Sequence, residues 1–540
     1  MDKHFKLILP DEGFDIYMPR DTQTWGYRYG ASIMCHDGIA EAWFASPGDE
    51  FEADWFTYRR SEDGGNTWSY ERVVMAPTPD SLDWFSVCDP AVIKYGEYYY
   101  IGYTSTLFAD GGGVGNNGFV GRSKSPTGPF EKWTGNGWGE HRTVGGKTYN
   151  WIGKPAPIIY FDENWRNWGA GEFSFVIKDD VLFMYYTWTS TLSDGKYTST
   201  TRVATADITN ENWPATIKQH GIASVRTSGL NDSYDVVYCE DLNKFIALAT
   251  DNRFEAESFL VVYESDDGMK FNRVNEIKVN TSFMCHNCGF SGDEHHHIKS
   301  GDLLFLSYAY GNQWGKWGNR MHKYSFELID DEFYSEKDKK NIHRDIKLWP
   351  HEQILDHTYL SMVKPHYLRM HIGDKASPEF VFFNVCYERE TATNVEFSNY
   401  DDSIISISGN TITALKEGYT YIDASQNGHI CQFLVYVYNQ DVVFDDPNKK
   451  LLSLSPMQTQ YFPTLSGKEL KQIRALAEYS DGSWKEICEE HEKIYYINHN
   501  PEVVTVDNNG LVYPTGTAGT ATISVHSDDL SFDVEIIVKE

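Results

Sequence analysis

The sequence predicts an all-β chain, with a five-bladed β-propeller at residues 1–340 and two C-terminal β-sandwich domains at residues 360–438 and 439–540. Two observations lead to this prediction. Aromatic residues make up 15% of the 540 residues, including 35 Tyr and 30 Phe, a composition that favours strands over helices. In addition, a pair of strands recurs along the first part of the chain, and a second kind of repeat fills the last part.

The repeated pair is an apolar strand, a turn at Gly or Asp, and a second strand rich in aromatic residues. It occurs five times before residue 330, and more polar strands follow each copy. Sheets of four strands, repeated every 60 to 80 residues or so, are typical of a propeller. We predict these inner pairs to be ASIMCHDGIAEAWFAS (31–46), DPAVIKYGEYYYIGYTS (89–105), EFSFVIKDDVLFMYYTW (172–188), YDVVYCEDLNKFIALAT (234–250) and HIKSGDLLFLSYAYG (297–311).

A short turn motif supports the same fold. Residues 61–68 read SEDGGNTW, which matches the Asp-box pattern Ser-x-Asp-x-Gly-x-Thr-Trp, and 265-SDDGMKF-271 is a shortened version. In such a turn the Asp side chain accepts backbone N–H bonds, Gly permits positive φ, and Trp packs between strands. We therefore interpret it as a structural staple at the outer edge of a blade.

Beyond about residue 335 the pattern changes. A charged connector, EKDKKNIHRDIKLWPHEQ, precedes two similar segments at 398–437 and 498–538, each with alternating strands and Gly turns. The second contains VVTVDNNGLVYPTGTAGTATISV, and both resemble bacterial immunoglobulin-like domains of group 2. This resemblance implies two immunoglobulin-like β-sandwich domains that act as spacers or attach to surfaces or glycans.

The charge and the apolar runs restrict the partners. A net charge of -31 argues against nucleic acid and anionic membranes. No run approaches the roughly 18 apolar residues of a membrane span. The first residues, MDKHFKLILPDEGFD, do not read as a signal peptide, so the natural chain is either cytoplasmic or secreted with its signal removed. We expect a monomer that acts on carbohydrate, secreted or at the cell surface, with a cytoplasmic location as the alternative.

The eight Cys are scattered and do not form a disulfide framework. The close pair Cys285–Cys288 leaves a metal or disulfide role open, and buried free thiols are the simpler interpretation.

Candidate catalytic residues begin the inner strands. In a propeller these positions face one another across a central funnel, where a rigid scaffold can bring polar groups together. The second pair begins at Asp89, the third at Glu172 and the fourth at Asp235, whereas the first pair offers no acid and is preceded by YRYG (27–30). The fifth begins at His297, next to His295 and His296. Each acid could also cap a turn.

Carboxylates around a funnel with aromatic residues suit the cleavage of a glycosidic bond. One carboxylic acid protonates the leaving oxygen, and a second carboxylate activates water or attacks the anomeric carbon. A third can raise the pKa of the acid by like-charge repulsion. Candidate platforms for sugar rings are Trp25, Trp151, Trp188 and Trp314.

The strand motifs are similar to those of five-bladed propeller glycoside hydrolases, the clan of family 43 arabinanases, arabinofuranosidases and xylosidases and their family 32 relatives. DPAVIKYGEYYYIGYTS, SKSPTGPFEKW and GAGEFSFVIKDDVLFMYYT carry the resemblance, which spans about residues 1–335. It implies that Glu172 is the general acid and Asp89 the orienting acid or the base. It also implies a calcium ion held by His297.

The first blade departs from the family pattern. The family's base would fall at Gly30-Ala31, where this chain has no acid. Either Asp235 or Asp21 supplies the base, or the chemistry differs.

Three other functions remain open from the sequence. One is a metal-dependent carbohydrate esterase or deacetylase with Asp89 and a His as ligands. Another is a sialidase, which the Asp box suggests but which needs six blades and three Arg. The last is a glycan-binding protein without catalysis.

Overall fold

The structure is a computed structural model. It describes residues 3–17, 27–48, 54–69, 71–78, 81–106, 114–135, 137–139, 142–144, 147–149, 155–163, 166–191, 197–225, 232–255, 258–281, 284–311, 317–330, 358–363, 367–384, 389–444, 446–456, 470–481, 484–487 and 493–539. In these segments the regular structure is β, apart from one turn of 3-10 helix at Trp213–Thr216. The prediction of an all-β chain is confirmed. No helix in the described segments has the length and apolar character needed to cross a membrane.

The first 330 residues form five antiparallel sheet units, preceded by β1 (Lys3–Ile8) and β2 (Phe14–Tyr17). Unit I contains β3 (Tyr29–His36), β4 (Ile39–Pro47), β5 (Asp54–Ser61) and β6 (Arg72–Met75). Unit II contains β7 (Cys88–Tyr95), β8 (Tyr98–Ser105), β9 (Asn117–Ser123) and β10 (Glu131–Lys132), and a small hairpin follows, β11 (Arg142–Val144) and β12 (Lys147–Tyr149).

Unit III contains β13 (Ala170–Lys178), β14 (Val181–Thr191), β15 (Tyr197–Asp207) and β16 (Lys218–Val225). Unit IV contains β17 (Asp235–Cys239), β18 (Lys244–Asp251), β19 (Phe259–Ser265) and β20 (Asn272–Ile277). Unit V contains β21 (Cys285–Gly292), β23 (Phe305–Tyr310) and β24 (Gly318–Lys323), with β2 as its outermost strand, while β22 (His297–Ile298) joins β17 and β25 (Ser325–Asp330) pairs with β1.

The five units close into a ring. Their first strands β3, β7, β13, β17 and β21 lie side by side in that order. The ring closes where β21 pairs in parallel with β3, with Ser291 opposite Ile33. Because β2 comes from the start of the chain, it ties the two ends of this region together in unit V. The first residues of all five inner strands therefore meet at one end of a central channel, which we call the carboxylate end.

The sequence-based assignment of the fifth inner strand was wrong. The inner strand is Cys285–Gly292, and His297–Ile298 is a short strand that pairs in parallel with the end of β17. The sequence CHNCGFSG lacks the apolar alternation that marks a strand. Gly289 explains part of this, because a Cβ there would lie 2.3 Å from the Ala31 carbonyl oxygen of β3. The close approach of β21 to β3 requires a residue without a side chain.

Two further groups of sheets follow, each around its own apolar core. The first contains β26 (Thr358–Met362), β27 (Tyr367–His371), β28 (Lys375–Ala376), β29 (Phe380–Asn384), β30 (Arg389–Ala392), β31 (Glu396–Ser398), β32 (Ile405–Ser408), β33 (Thr411–Ala414), β34 (Gly418–Gln426) and β35 (His429–Tyr438). The second contains β36 (Leu451–Pro456), β37 (Lys471–Gln472), β38 (Ala475–Tyr479), β39 (Trp484–Ile487), β40 (Ile494–Asn498), β41 (Val504–Val506), β42 (Leu511–Pro514), β43 (Gly519–Ser527) and β44 (Leu530–Val538).

Both C-terminal groups pack against the ring. In the first group, Asp423 pairs with Arg72 of unit I at 3.2 Å. In the second, Lys471 pairs with Asp162 at 2.7 Å, and the Arg474 side chain donates to the carbonyl of Phe161. These polar contacts lie beside shared apolar packing, since Tyr436 and other C-terminal residues join the core cluster of units I and II.

The turn at 61–68 has the hydrogen bonds that its sequence predicts. The Asp63 carboxylate accepts the backbone N–H groups of Asn66 at 3.0 Å and Thr67 at 2.8 Å. These bonds, led by the one from the Thr67 hydroxyl, lower the pKa of Asp63 to about 2. Trp68 is buried against Phe305 of unit V, with ring centroids 6.3 Å apart. The motif therefore holds the outer edge of unit I against its neighbour.

Candidate active site

The inner strands of four units share a β-bulge at the carboxylate end. The bulged residue has positive φ in each: Gly30 at 59°, Asp89 at 55°, Glu172 at 53° and Asn287 at 43°. Positive φ is uncommon for residues other than Gly, and such backbone persists where the surroundings enforce it. A bulge also redirects the side chain that it carries. Asp89 and Glu172 thus owe their common orientation to a repeated feature of the backbone.

The carboxylates of Asp89 and Glu172 interact electrostatically. Both are buried, with 8% and 7% of their surface exposed. The pKa of Asp89 is raised well above its usual value, first by burial and then by the negative charges of Glu172 and Asp54. Hydrogen bonds from Thr104 and Cys88 act in the opposite direction. A buried carboxylate beside another negative charge favours a state in which the pair retains a proton.

Threonine side chains hold Glu172 in place. The Thr187 hydroxyl donates to Glu172 Oε2 at 2.5 Å, and the backbone N–H of Glu172 donates to Thr104 Oγ1 at 2.7 Å. The preceding Gly171 is needed here, because a Cβ at that position would lie 2.4 Å from the Thr104 side chain. The sequence GAGEF therefore places the glutamate against a fixed partner on β8 of unit II.

Asp235 lies at a different level of the channel. Strand β17 has no bulge, and Asp235 pairs directly with Leu248. Its carboxylate accepts the Ser174 hydroxyl at 2.6 Å and the Phe290 N–H at 2.6 Å, so it links units III, IV and V. Burial raises its pKa, and His296 and these hydrogen bonds oppose the effect. The structure thus gives Asp235 a set of partners within the ring that Asp89 and Glu172 do not share.

His297 lies at the opposite end of the channel, beside the turns that join first and second strands. Its Nδ1 is 2.6 Å from Glu240 Oε1, and its Nε2 is 2.5 Å from the Ile177 carbonyl oxygen. Its neighbour His296 contacts the carbonyl oxygens of Phe175 at 3.1 Å and Phe290 at 3.3 Å. Both nitrogens of each ring are engaged with protein atoms.

These contacts bear on the calcium ion that the sequence resemblance implies. In the described segments, no group of three or more His, Cys, Asp and Glu side chains is arranged to hold a metal ion. The residues present at His297 do not fit the expected site, because both ring nitrogens contact protein atoms. Cys285 and Cys288 are buried free thiols.

Trp188 is the one candidate platform within the described residues, since Trp25, Trp151 and Trp314 lie outside them. It is 2% exposed, and its indole N–H donates to Glu163 at 2.9 Å. The Arg202 guanidinium lies 4.1 Å from the ring centroid and the Lys471 ammonium 5.8 Å from it. Two cationic side chains therefore pack beside the Trp188 ring.

The structure adds a cation that sequence reasoning missed. Arg253, two residues after β18, is paired with the buried Asp232 at 3.0 Å, and the charges of Glu172 and Asp89 also raise the pKa of its guanidinium. Asp232 Oδ2 accepts the backbone N–H of Asn287 at 2.7 Å, which supports the bulge of unit V. No pattern in the sequence marked Arg253, because its loop reaches the channel only when the ring closes.

An imidazole and an indole pack beside this cation. His286 is fully buried, and its ring centroid lies 4.1 Å from that of Trp317. Burial, followed by the charge of Arg253, lowers the pKa of His286 to about 3, so it is neutral at physiological pH. Tyr29 lies next to both rings, 6.4 Å from His286 and 5.7 Å from Trp317. The wall of the site on this side is aromatic, and the charged residues beside it are Arg253 and its buried partner Asp232.

A further acid, Asp54, stands at the start of β5 in unit I. It is 7% exposed, and the Tyr27 hydroxyl donates to its Oδ1 at 2.7 Å. Burial raises the pKa of Asp54 to about 7, and hydrogen bonds from Tyr27 and Tyr29 partly oppose this. The sequence pattern pointed to the starts of first strands and to Asp21 in the preceding loop, whereas Asp54 belongs to a third strand.

Comparison with known proteins adds loose structural likeness and no sequence relative. No protein-family model matches the chain, and no curated protein is similar to it in sequence. Among solved structures, it is similar to Zg3597, a family 117 glycoside hydrolase of the marine bacterium Zobellia galactanivorans, at 17% identity over 64% of this chain and 96% of that one, with a TM-score of 0.43.

Two other solved structures show similar coverage. The α-L-arabinofuranosidase PaAbf62A of Podospora anserina gives 9% identity over 59% of this chain and 98% of that one, with a TM-score of 0.39. An endo-arabinase of Bacteroides thetaiotaomicron gives 13% identity, 58% and 98% coverage and a TM-score of 0.36. At such scores the function has to be argued from the residues of this chain.

Proposed function

We propose that this chain is a glycoside hydrolase whose reaction takes place at the carboxylate end of the ring. The observation that carries the proposal is the pairing of Asp89 and Glu172 on equivalent bulges, buried and close enough for the charge of one to raise the pKa of the other. Glycosidic bond cleavage needs one carboxyl group that keeps its proton and another that is ionised. The pair meets the first requirement.

Glu172 is the proton donor in this proposal. Thr187 and the backbone bond to Thr104 fix its position, so that the proton can be delivered to the glycosidic oxygen as the C–O bond breaks. Asp89 keeps the proton on the pair by like-charge repulsion and orients the donor. The Arg253 guanidinium interacts electrostatically with both carboxylates, and its positive charge makes the net charge of the site less negative.

The substrate class follows from the sequence resemblance. The strand motifs of units II and III resemble those of arabinofuranosidases and xylosidases, so we propose glycans of plant or host origin with terminal or internal pentose residues. In the same proposal the five units are the blades of a propeller and the two C-terminal groups are immunoglobulin-like domains. The chain then acts as a monomer, secreted or on the cell surface, on oligo- or polysaccharide.

A substrate screen tests this function. Purified full-length protein is assayed on aryl pentosides, aryl hexosides and plant polysaccharides, with sugar release followed by chromatography. We expect cleavage of at least one glycoside by the wild type and its loss in Glu172→Gln. Absence of turnover on every substrate, with binding to glycans retained, would favour a binding protein. Full activity of Glu172→Gln on a cleaved substrate would contradict the assignment of the proton donor.

A further inference from the structure

Unit I has no carboxylate on its inner strand, and the structure shows what lies there. Gly30 occupies the bulge, and a Cβ on it would lie 3.7 Å from Asp89 Oδ1. The direction in which a side chain would leave this bulge thus points at Asp89. Because Gly30 has none, the space beside the Asp89 carboxylate on the unit I side stays free of side-chain atoms from this position.

Asp54 approaches the same region from the third strand of unit I. Its carbonyl oxygen accepts the backbone N–H of Val87 at 3.0 Å, which fixes the start of β5 against the residues that lead into Asp89. The negative charge of Asp54 contributes to the raised pKa values of Asp89, Cys88 and Tyr29. Asp54 and Asp89 therefore belong to one electrostatic site.

Two tyrosines hold the Asp54 carboxylate. Tyr27 donates at 2.7 Å, and the Tyr29 hydroxyl provides a second hydrogen bond. The two rings support each other, with centroids 5.6 Å apart, and Tyr27 also packs on Trp317 at 5.8 Å. Hydrogen bonds to a carboxylate favour its ionised form, so the tyrosines offset part of the cost of burial. The Asp54 carboxylate thus has two donors that stabilise its ionised form, beside a pair that keeps a proton.

We propose that Asp54 is the general base of this site, supplied by β5 in place of the acid that the inner strand of unit I lacks. The assignment rests on the glycosidase function proposed above. Asp54 accepts a proton from a water molecule while the water oxygen forms a bond to the anomeric carbon. The bond from that carbon to the leaving oxygen breaks, and the leaving oxygen takes the proton of Glu172. The reaction is then a single displacement that inverts the anomeric configuration.

The acidic side of the pH profile follows from the surroundings of Asp54. The ionisable groups that face it in the described segments are Tyr27 and Tyr29 of unit I and Cys88 and Asp89 of unit II. With a pKa of about 7, Asp54 is about half ionised at neutral pH, so kcat/KM should fall as the pH drops through 7. Loss of the Tyr27 hydrogen bond should move this limb to higher pH, because the ionised form loses a donor.

The test uses two variants, one of the base and one of the tyrosine that holds it, together with rescue by azide. In Asp54→Asn we expect kcat/KM to fall by about 10²-fold or more. Sodium azide, which needs no base, should restore turnover and yield a glycosyl azide of inverted configuration. Tyr27→Phe should keep activity at high pH but shift the acidic limb upward. Tyr58→Phe is the matched control, because Tyr58 lies on the same strand as Asp54 and its hydroxyl donates to Glu41 of β4 at 2.5 Å.

Each outcome decides between specific claims. If the wild type cleaves glycosides and Glu172→Gln does not, but Asp54→Asn keeps most of its activity or the Tyr27→Phe profile is unshifted, the base assignment is wrong and the glycosidase function stands. A product that retains its configuration would also overturn it. If the wild type cleaves no glycoside, both proposals fall. Circular dichroism of Asp54→Asn establishes that a loss of activity is not a loss of fold.

Discussion

The two ends of the central channel both carry ionisable side chains, but in opposite surroundings. At the carboxylate end, Asp54, Asp89 and Glu172 are buried and repel one another. At the other end, which we call the turn end, acidic side chains pair with an imidazole and with backbone amides. Glu240 contacts His297 at 2.6 Å, and Asp293 accepts the backbone N–H groups of His295 and His297, both at 2.9 Å.

This difference distinguishes acids that stabilise loops from acids that are candidates for catalysis. The turn end resembles ordinary loop chemistry, in which short acidic side chains bond backbone amides and surface histidines. The carboxylate end holds Asp89 and Glu172 at positive φ, and the pKa of Asp89 is raised, an arrangement that costs stability and is typical of active sites. Charge density alone would not have distinguished the two ends.

The largest effect expected is on catalysis at the carboxylate end. Glu172→Gln should lower kcat by about 10²–10⁴-fold on a glycoside with a poor leaving group, because proton donation is lost. Steady-state kinetics measure this. The matched control is Glu240→Gln at the turn end, an exposed acid whose loss should change kcat by no more than about twofold. Equal effects of the two substitutions would remove the distinction between the ends.

Asp89→Asn should have a smaller effect on rate and a distinctive effect on pH dependence. We expect kcat to fall by about 10²-fold. The alkaline limb of the profile should move to lower pH, because the like charge that keeps a proton on the pair is gone. A pH series of kcat/KM for both proteins shows this. An unshifted alkaline limb would mean that the coupling with Glu172 does not govern the reaction.

Stability should respond to pH through Asp54. Its folded pKa of about 7 exceeds the unfolded value of about 3.9, so the folded state binds the extra proton. This contribution is present below about pH 4 and is lost as the pH rises through 7. Asp54→Asn should not show this loss. At pH 8 its free energy of unfolding should exceed that of the wild type by up to about 4 kcal/mol. Urea unfolding at pH 4 and pH 8 measures it, and equal pH slopes for the two proteins would argue against the burial of this carboxylate.

The smallest effect expected is at the turn end. His297→Ala removes contacts to Glu240 and the Ile177 carbonyl, and we expect a loss of about 1–3 kcal/mol in unfolding free energy with unchanged kcat. Thermal unfolding and steady-state kinetics give the two values. A large fall in kcat without loss of stability would place His297 in the reaction.

The sequence predicted the position of an acid well where the acid stands at the head of a single recognisable strand. Asp89 and Glu172 stand at the heads of strongly apolar strands, and their motifs located them. Asp235 looked equivalent, yet β17 lacks the bulge, so its side chain lies at another level. A bulge is defined by how two strands pair, and the hydrophobic pattern of a single strand does not show whether one is present. The assignment of Asp235 and the levels of the other acids therefore needed the register of the sheets.

The remaining site residues come from parts of the chain that only closure of the ring brings together. Asp54 begins a third strand, and Arg253 follows a second strand. His286 was hidden in CHNCGFSG, where Gly289 and polar residues mask a strand that is entirely buried. Local periodicity predicts which residues form strands, but it contains no information on which strand starts face each other across the channel.

The most direct test of the central claim is the dependence of rate on the leaving group. kcat/KM is measured for the wild type and Glu172→Gln on a series of aryl glycosides whose phenols differ in pKa. If Glu172 donates the proton, the wild type should depend weakly on phenol pKa, and the variant should depend on it steeply and approach the wild-type rate only for the most acidic phenols. Parallel dependences in the two proteins, or an unchanged rate for the least acidic phenol, would contradict proton donation by Glu172.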